Sequence, residues 1–263
     1  MSDARAVYNA SKSGVLWQLA SLPAPLCTLD PASAAFADAV AALQSAKGLA
    51  ADGKLGPATL AAIMPAPVLP TGTNARARLL AVASAEADKG VREVGGANKG
   101  PDVEKYQRTV QLGPGNPWCA AFVAWCVSQS IDSKVPAWCS GSAVTSWHRG
   151  SAKAGAAKRT TPKDADFKSK VAPGWIWVRA TDDASANAAR AGTWSQGHTG
   201  IVVAVDAVGF HTIEGNTNAA GSREGDGVYR KLHRWDDAKQ IGRTVGWFDS
   251  LAASGVADVS SNA

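Results

Sequence analysis

The chain has 263 residues, of which 46% are hydrophobic and 19% charged, so its composition is that of a globular protein. This length fits one medium domain together with a smaller one. Basic residues exceed acidic residues by five, and Lys and Arg are spread along the chain without a dense run. The charge favours an anionic partner, and the lack of a dense run argues against nucleic acid. A solvated surface without a polymer partner is the alternative.

The cysteines at positions 27, 119, 126 and 139 do not form a disulfide framework at this length, although Cys126 and Cys139 could pair in an oxidising compartment. Their spacing is not that of a metal site, so we predict neither a metal nor another cofactor. The first residues lack the apolar core of a signal peptide, and the longest apolar stretches are too short to span a bilayer. We therefore expect synthesis in the cytoplasm, no membrane span and a monomer.

A proline-rich stretch at residues 65–75 predicts an extended linker, because it holds three prolines within six residues and then Thr and Gly. The linker separates a small domain at residues 1–64 from a larger one at residues 76–250. Residues 251–263 form a C-terminal tail.

The small domain is predicted to be all helical. Apolar residues at helical spacing predict a helix over residues 35–46, which Gly48 ends. A second helix begins at Gly56-Pro57, and residues 8–30 are expected to supply a third. A unit of this size without histidine is too small for a buried reaction centre, so binding is its expected role.

The small domain resembles the peptidoglycan-binding type 1 family over about half of that family's usual length. The resemblance implies that the domain binds peptidoglycan; a helical cap that packs on the larger domain is the alternative. The residues that carry it are Leu43-Gln44, Gly48-Leu49, Asp52-Gly53 and Gly56-Pro57-Ala58-Thr59.

The larger domain begins with helices and continues with strands, a pattern that predicts an α+β fold. Residues 150–170 are polar and basic and are expected to form an exposed excursion. The predicted elements are helices at residues 75–89 and 103–110, a long apolar helix from residue 117, and strands at residues 175–178, 199–205, 210–213 and 245–248.

Cys119 lies at the start of the long apolar helix. Asn116 is a good N-cap and Pro117 a good first helical residue. The unpaired N–H groups and the dipole of a helix N-terminus favour a thiolate over a thiol, so Cys119 is a candidate nucleophile. A buried core thiol is an equally good interpretation of this position alone, and Cys126 fits the core.

A thiolate nucleophile needs a base, and His198 is the strongest candidate. It follows Gly197 at the mouth of an apolar strand, where it is accessible and held in place. His211 lies inside the next strand, whereas His148 and His233 lie in polar segments where they are expected to be solvated.

The base must be oriented by a third polar group. A hairpin that turns at residues 206–209 would bring His198 beside Glu214 and Asn216. Either side chain can accept the imidazole N–H, so Glu214 and Asn216 are alternative orienting groups. A cap at the exit of the hairpin is the non-catalytic interpretation of both.

These motifs together resemble the CHAP family of the papain-like NlpC/P60 superfamily, over about residues 76–250. The matching residues are Pro117-Trp118-Cys119-Ala120-Ala121-Phe122-Val123 with Trp125, Gly197-His198-Thr199-Gly200-Ile201, and Ile213-Glu214-Gly215-Asn216. The resemblance implies a peptidoglycan amidase or endopeptidase of the endolysin type, with Cys119 as nucleophile, His198 as base, and Glu214 with Asn216 as the orienting group. It also implies that peptidoglycan is the partner.

The resemblance has three further implications. Trp118 and Trp194 are candidates to border the substrate groove, with core packing as the alternative, and the Cys119 N–H is a candidate oxyanion donor. Residues 100–104 lack the acidic ligand pattern of a calcium loop, which agrees with the prediction of no metal. The enzyme would act in the periplasm or wall after holin-type or secretion-system release. The alternatives are a non-catalytic wall-binding protein on a hydrolase fold, and a papain-like protease or transglutaminase with another substrate.

Overall fold

A computed structural model describes residues 3–11, 26, 29–56, 59, 74–132, 134–218 and 225–257. The chain divides into two compact units, Met1–Val68 and Leu69–Ala263.

The smaller unit contains helices α1 (Ala4–Ser11) and α2 (Ala34–Ala46). The Ser33 side chain caps α2 by accepting the Phe36 N–H, and Gly48 follows its end with a left-handed φ of 69°. Its apolar core consists of Leu26, Phe36, Val40 and Leu55. The predicted helix over residues 35–46 is therefore present, whereas the helix predicted from Gly56-Pro57 and most of the segment 8–30 lie outside the described residues.

The buried Gln44 amide organises the chain that follows α2. Its Nε2 donates to Asp52 Oδ1 at 2.8 Å and to Thr59 Oγ1 at 2.7 Å, while its Oε1 accepts the Gly53 N–H at 2.9 Å. Gly53 has a φ of 67°, and an added Cβ would lie 2.9 Å from the Ala37 carbonyl oxygen. The Gln44, Asp52-Gly53 and Thr59 signature is thus a hydrogen-bonded turn.

The larger unit has the predicted α+β architecture, with helices around an antiparallel sheet. Its helices are α3 (Ala75–Lys89), α4 (Pro101–Thr109), α5 (Cys119–Ser130), α6 (Ala143–Ala154), α7 (Phe167–Lys170), α8 (Asp183–Arg190), α9 (Ala238–Arg243) and α10 (Ser250–Ala253), with a 3₁₀ turn at Ala156–Lys158. Its strands are β1 (Arg159–Thr160), β2 (Trp175–Ala180), β3 (Gly197–Val205), β4 (Gly209–Thr217), β5 (Gly227–Arg234) and β6 (Thr244–Asp249).

The strands lie in the order β1-β6-β2-β3-β4-β5, and every pair is antiparallel. One face, with Ile176, Ile201 and Ile213, packs with α5 in the main core. The other face carries a second, aromatic cluster of Trp175, Trp177, Phe210 and Trp247. Because successive side chains of a strand point to opposite faces of the sheet, the strands contribute to two separate cores.

Several elements were not predicted, among them helices α6, α8 and α9 and strand β1, which lies in the segment expected to form an exposed excursion. Two further differences concern the site. Helix α5 begins at Cys119 with Trp118 at its N-cap, not at Pro117 with Asn116 as cap; the Asn116 side chain instead donates to the Gly113 carbonyl. Strand β5 was not predicted, because its Lys and Arg residues obscure the alternation of a sheet strand. Both differences bear on the candidate site.

No helix in the described ranges combines the length and the apolar character that a membrane crossing requires.

We predict that Gln44→Ala loosens the turn after α2, because the Gly53 N–H and the Thr59 hydroxyl lose their buried partner. The free energy for opening this segment should fall by about 1–3 kcal/mol, measured by amide hydrogen exchange. Ser45→Ala, an exposed neighbour on α2, is the matched control. An equal change in both variants would contradict the organising role of Gln44.

Candidate active site

Cys119 is the first residue of α5, the helix that packs across β3 and β4. Cys119 is buried, with 7% of the residue surface exposed, whereas Cys126 has none. Close approach of helix and strand depends on Gly215 of β4, where an added Cβ would lie 2.6 Å from Phe122 Cβ and 2.6 Å from the Trp118 ring. The cysteine is thus held at a helix N-terminus directly over the hairpin.

His198 stands between Cys119 and Glu214. Its Nε2 donates to Glu214 Oε2 at 2.8 Å, and both side chains are almost fully buried. Its Nδ1 has no well-aligned partner among the described residues and is the nitrogen left for the Cys119 sulfur. The Cys119 thiol lies close enough to the ring to raise the pKa of His198.

The pKa of His198 results from opposing effects. Burial is the largest single effect and lowers the pKa, but the hydrogen bonds and charges of Cys119 and Glu214 outweigh it and raise the pKa from 6.5 to about 9. The imidazole is therefore protonated at neutral pH. Burial acts to raise the pKa of Glu214, yet the neighbouring histidines lower it well below its usual range, so the carboxylate is charged.

The second oxygen of Glu214 has two partners of its own. Oε1 accepts the Thr212 hydroxyl at 2.5 Å and His233 Nε2 at 2.6 Å. The His233 ring lies against Trp177 with centroids 4.2 Å apart, and 4.9 Å from Phe210. Sequence reasoning placed His233 in a solvated segment and so missed it; predicting β5 as a strand would have found it.

Asn216 and Glu214 differ sharply in their surroundings. Asn216 is buried and has a left-handed φ of 55°, and neither of its amide atoms has a partner in the described part of the chain. The structure thus bonds His198 to Glu214, places Cys119 near enough to affect the pKa of His198, and leaves the Asn216 amide outside this group.

The two tryptophans proposed for the groove lie in different environments. Trp118 is fully buried, stacks on Tyr106 and donates its indole N–H to Glu93 Oε1 at 3.0 Å, so its ring packs in the core. Trp194 is 62% exposed, and its indole N–H donates to Ser142 Oγ. Of the two, only Trp194 presents an aromatic surface to solvent.

The remaining histidines have local partners outside this set. His211 bonds Asp206 at the hairpin turn at 2.8 Å, and His148 bonds the Ala189 carbonyl at 2.8 Å. Neither is simply solvated. Within the described residues, no group of three or more His, Cys, Asp or Glu side chains is arranged to hold a metal ion.

We predict that Glu214→Gln lowers the pKa of His198 from about 9 towards 6.5, because the carboxylate that stabilises the imidazolium is lost while Cys119 remains. Asn216→Ala should leave that pKa unchanged. Titration of the His198 ring signals by NMR measures both. Equal shifts in the two variants would mean that Glu214 alone does not hold the imidazole.

Comparison with family models places this geometry in context. Residues 111–216 match the model described as "CHAP domain", and residues 32–63 match the one described as "Putative peptidoglycan binding domain". No curated protein and no solved structure matches the chain. The CHAP match includes Cys119, His198 and Glu214 and ends before His233. A CHAP domain implies peptidoglycan hydrolase activity. The match to a peptidoglycan-binding domain lies nearer the start of the chain than the match to the CHAP domain.

Proposed function

We propose that this protein hydrolyses an amide bond of peptidoglycan by thiolate acyl transfer, as an N-acetylmuramoyl-L-alanine amidase or as an endopeptidase of the stem peptide or cross-bridge. The observation that carries the proposal is the position of His198 between a helix-terminal cysteine and a buried carboxylate. The CHAP match supports the substrate class, and the geometry supports the type of reaction.

In the first step the Cys119 sulfur attacks the amide carbonyl carbon. The carbon–nitrogen bond breaks as His198 transfers its Nδ1 proton to the leaving nitrogen, and a thioester forms. A pKa of His198 near 9 suits this proton donor, because the imidazolium is populated at neutral pH. Water then attacks the thioester and His198 accepts one of its protons. The carbon–sulfur bond breaks to release the carboxylic acid, which ionises to solvent, and leaves the Cys119 thiolate beside the His198 imidazolium.

Glu214 is the orienting group in this mechanism, since it bonds His198 Nε2 and so directs Nδ1 towards Cys119. The N–H groups of the first turn of α5 have no partner within the helix, so the Cys119 N–H is available to the oxyanion. The buried Asn216 amide makes no hydrogen bond to His198 among the described residues, so we do not assign it the orienting role.

The smaller unit would hold the enzyme on its polymeric substrate, so that hydrolysis takes place at the wall or in the periplasm. The match to a peptidoglycan-binding family supports this arrangement. Two attachment points on one polymer raise the local concentration of the second partner.

We predict that Cys119→Ala abolishes hydrolysis of purified peptidoglycan without changing binding to it, because only the attacking sulfur is removed. Mass spectrometry of the fragments released by the unaltered protein then identifies the bond that is cut. Cys139→Ala is the matched control, because Cys139 is a free thiol outside the site.

The outcome separates this proposal from its rivals. Full hydrolysis by the Cys119→Ala protein would exclude the cysteine mechanism, and no hydrolysis by the unaltered protein would favour a wall-binding protein on a hydrolase fold. Cleavage of casein in place of peptidoglycan on a zymogram would indicate a papain-like protease.

A further inference from the structure

The positive charge of this protein is concentrated in one short segment. Residues 149–170 hold seven basic and two acidic side chains, a net charge of +5 that equals the net charge of the entire chain. The remainder of the chain is therefore neutral overall. Lys and Arg occur along the whole chain and form no dense run, but outside this segment they are balanced by an equal number of acidic residues. The basic residues are Arg149, Lys153, Lys158, Arg159, Lys163, Lys168 and Lys170.

Most of this charge faces solvent without neutralisation. Six of the seven side chains are exposed. Lys170 pairs with Asp166 at 3.1 Å, but five of the others form no ion pair with any described residue: Arg149, Lys153, Lys158, Arg159 and Lys163. The Asp164 carboxylate is bonded to Thr160 and to the Thr161 N–H and interacts electrostatically with Lys170, so the two acidic residues of the segment act on Lys170 and not on those five cations.

The same segment lines a cleft of about 690 Å³ at the β1 edge of the sheet. The walls are held by hydrogen bonds, since Arg190 donates to the Thr244 carbonyl and His148 bonds the Ala189 carbonyl. Arg159 and Lys170 line the cleft together with the Thr160 and Thr161 hydroxyls. Strands β6 and β2 separate this edge from the strands that carry His198 and Glu214.

We propose that this cleft and the basic segment around it bind an anionic polymer of the cell wall that carries phosphodiester groups. A polymer is favoured over a small anion because the unpaired cations extend over residues 149–163, beyond the cleft itself. A wall polymer is favoured over nucleic acid because the segment offers no exposed aromatic ring for base stacking: Trp147 is buried and Phe167 packs on Trp247. The peptidoglycan-binding module brings such a polymer within reach.

Binding of this kind is driven by release of counterions from the polymer and weakens steeply with salt. We predict that the triple variant Lys158→Gln, Arg159→Gln, Lys163→Gln binds intact walls about tenfold more weakly at moderate salt, with a flatter salt dependence. The matched control is the triple variant Lys99→Gln, Lys134→Gln, Lys239→Gln, which removes three exposed positive charges elsewhere.

All binding is measured in the Cys119→Ala protein, so the result does not depend on hydrolysis. The probes are purified walls with their phosphodiester polymer and the same walls after hydrofluoric acid has removed it. The proposal requires the difference between the two triple variants to vanish on the stripped walls. An equal loss in both variants, an unchanged difference on stripped walls, or stronger competition by duplex DNA or anionic vesicles than by the free wall polymer would overturn it.

A second inference concerns His233 and rests on the proposed function. The ring is held at three points, by Glu214 Oε1 at 2.6 Å and by the faces of Trp177 and Phe210. It lies on a strand outside the CHAP match, so that match assigns it no part in the site. We infer that His233 is a positioning residue, which fixes the Glu214 carboxylate and keeps it charged so that its other oxygen can hold His198.

The charges around His233 leave Glu214 as its one bonded carboxylate. Arg179 of β2, Lys231 and Arg234 of β5, and Asp237 before α9 line the cleft beside it. Arg234 is paired with Asp236, and Asp237 caps α9. Of the effects that lower the pKa of Glu214 against burial, the charge of His233 is the largest.

We predict that His233→Gln raises the pKa of Glu214, so that the acid limb of the pH–rate profile for wall hydrolysis moves up by about one pH unit. His211→Gln, a buried histidine on the neighbouring strand, should leave the limb in place. If His233 serves only in packing, His233→Gln lowers the thermal midpoint of unfolding but does not move the acid limb. That result would contradict the inference.

Titration of the Glu214 carboxyl carbon by NMR in the Cys119→Ala protein provides the same test without catalysis. A raised pKa there, in a protein that hydrolyses nothing, would support the positioning role while the proposed reaction fails. An unchanged pKa in folded His233→Gln protein would overturn the positioning role whatever the activity. In Glu214→Gln protein, adding His233→Gln should shift the pH profile no further.

Discussion

A buried negative charge governs the architecture of the larger unit. Glu214 lies almost without solvent contact, and a lone carboxylate in that position would be costly or neutral. It remains charged because each oxygen has a histidine, with Thr212 adding a third donor. The order of strands meets this requirement, since β4 lies between β3, which supplies one histidine, and β5, which supplies the other.

The two faces of the sheet have different roles in the site. One face packs with α5, which brings the cysteine to the hairpin. The opposite face is lined by large aromatic side chains that enclose His233 and exclude water from the carboxylate. Low polarity around the bonds that hold Glu214 strengthens each of them, so the aromatic cluster is part of the electrostatics as well as of the core.

The sequence was most informative where a local pattern determines the structure. Helix α3 has the predicted bounds, and the hairpin turn at residue 206 brought His198 to Glu214 as expected. It failed where distant contacts decide. A strand such as β5, with Lys and Arg at every few positions, is defined by pairing with β4 rather than by its own alternation, so His233 was not recognised. Whether Glu214 or Asn216 orients His198 likewise depends on the left-handed φ of Asn216, which the sequence pattern does not predict.

Gly215 shows how this site stays aligned while it works on a polymer. Because nothing larger than a hydrogen fits between that position and the Phe122 and Trp118 side chains, helix and strand interlock at the point where the acid is anchored. Tension transmitted through a long, stiff substrate would therefore displace both reacting groups together instead of pulling them apart.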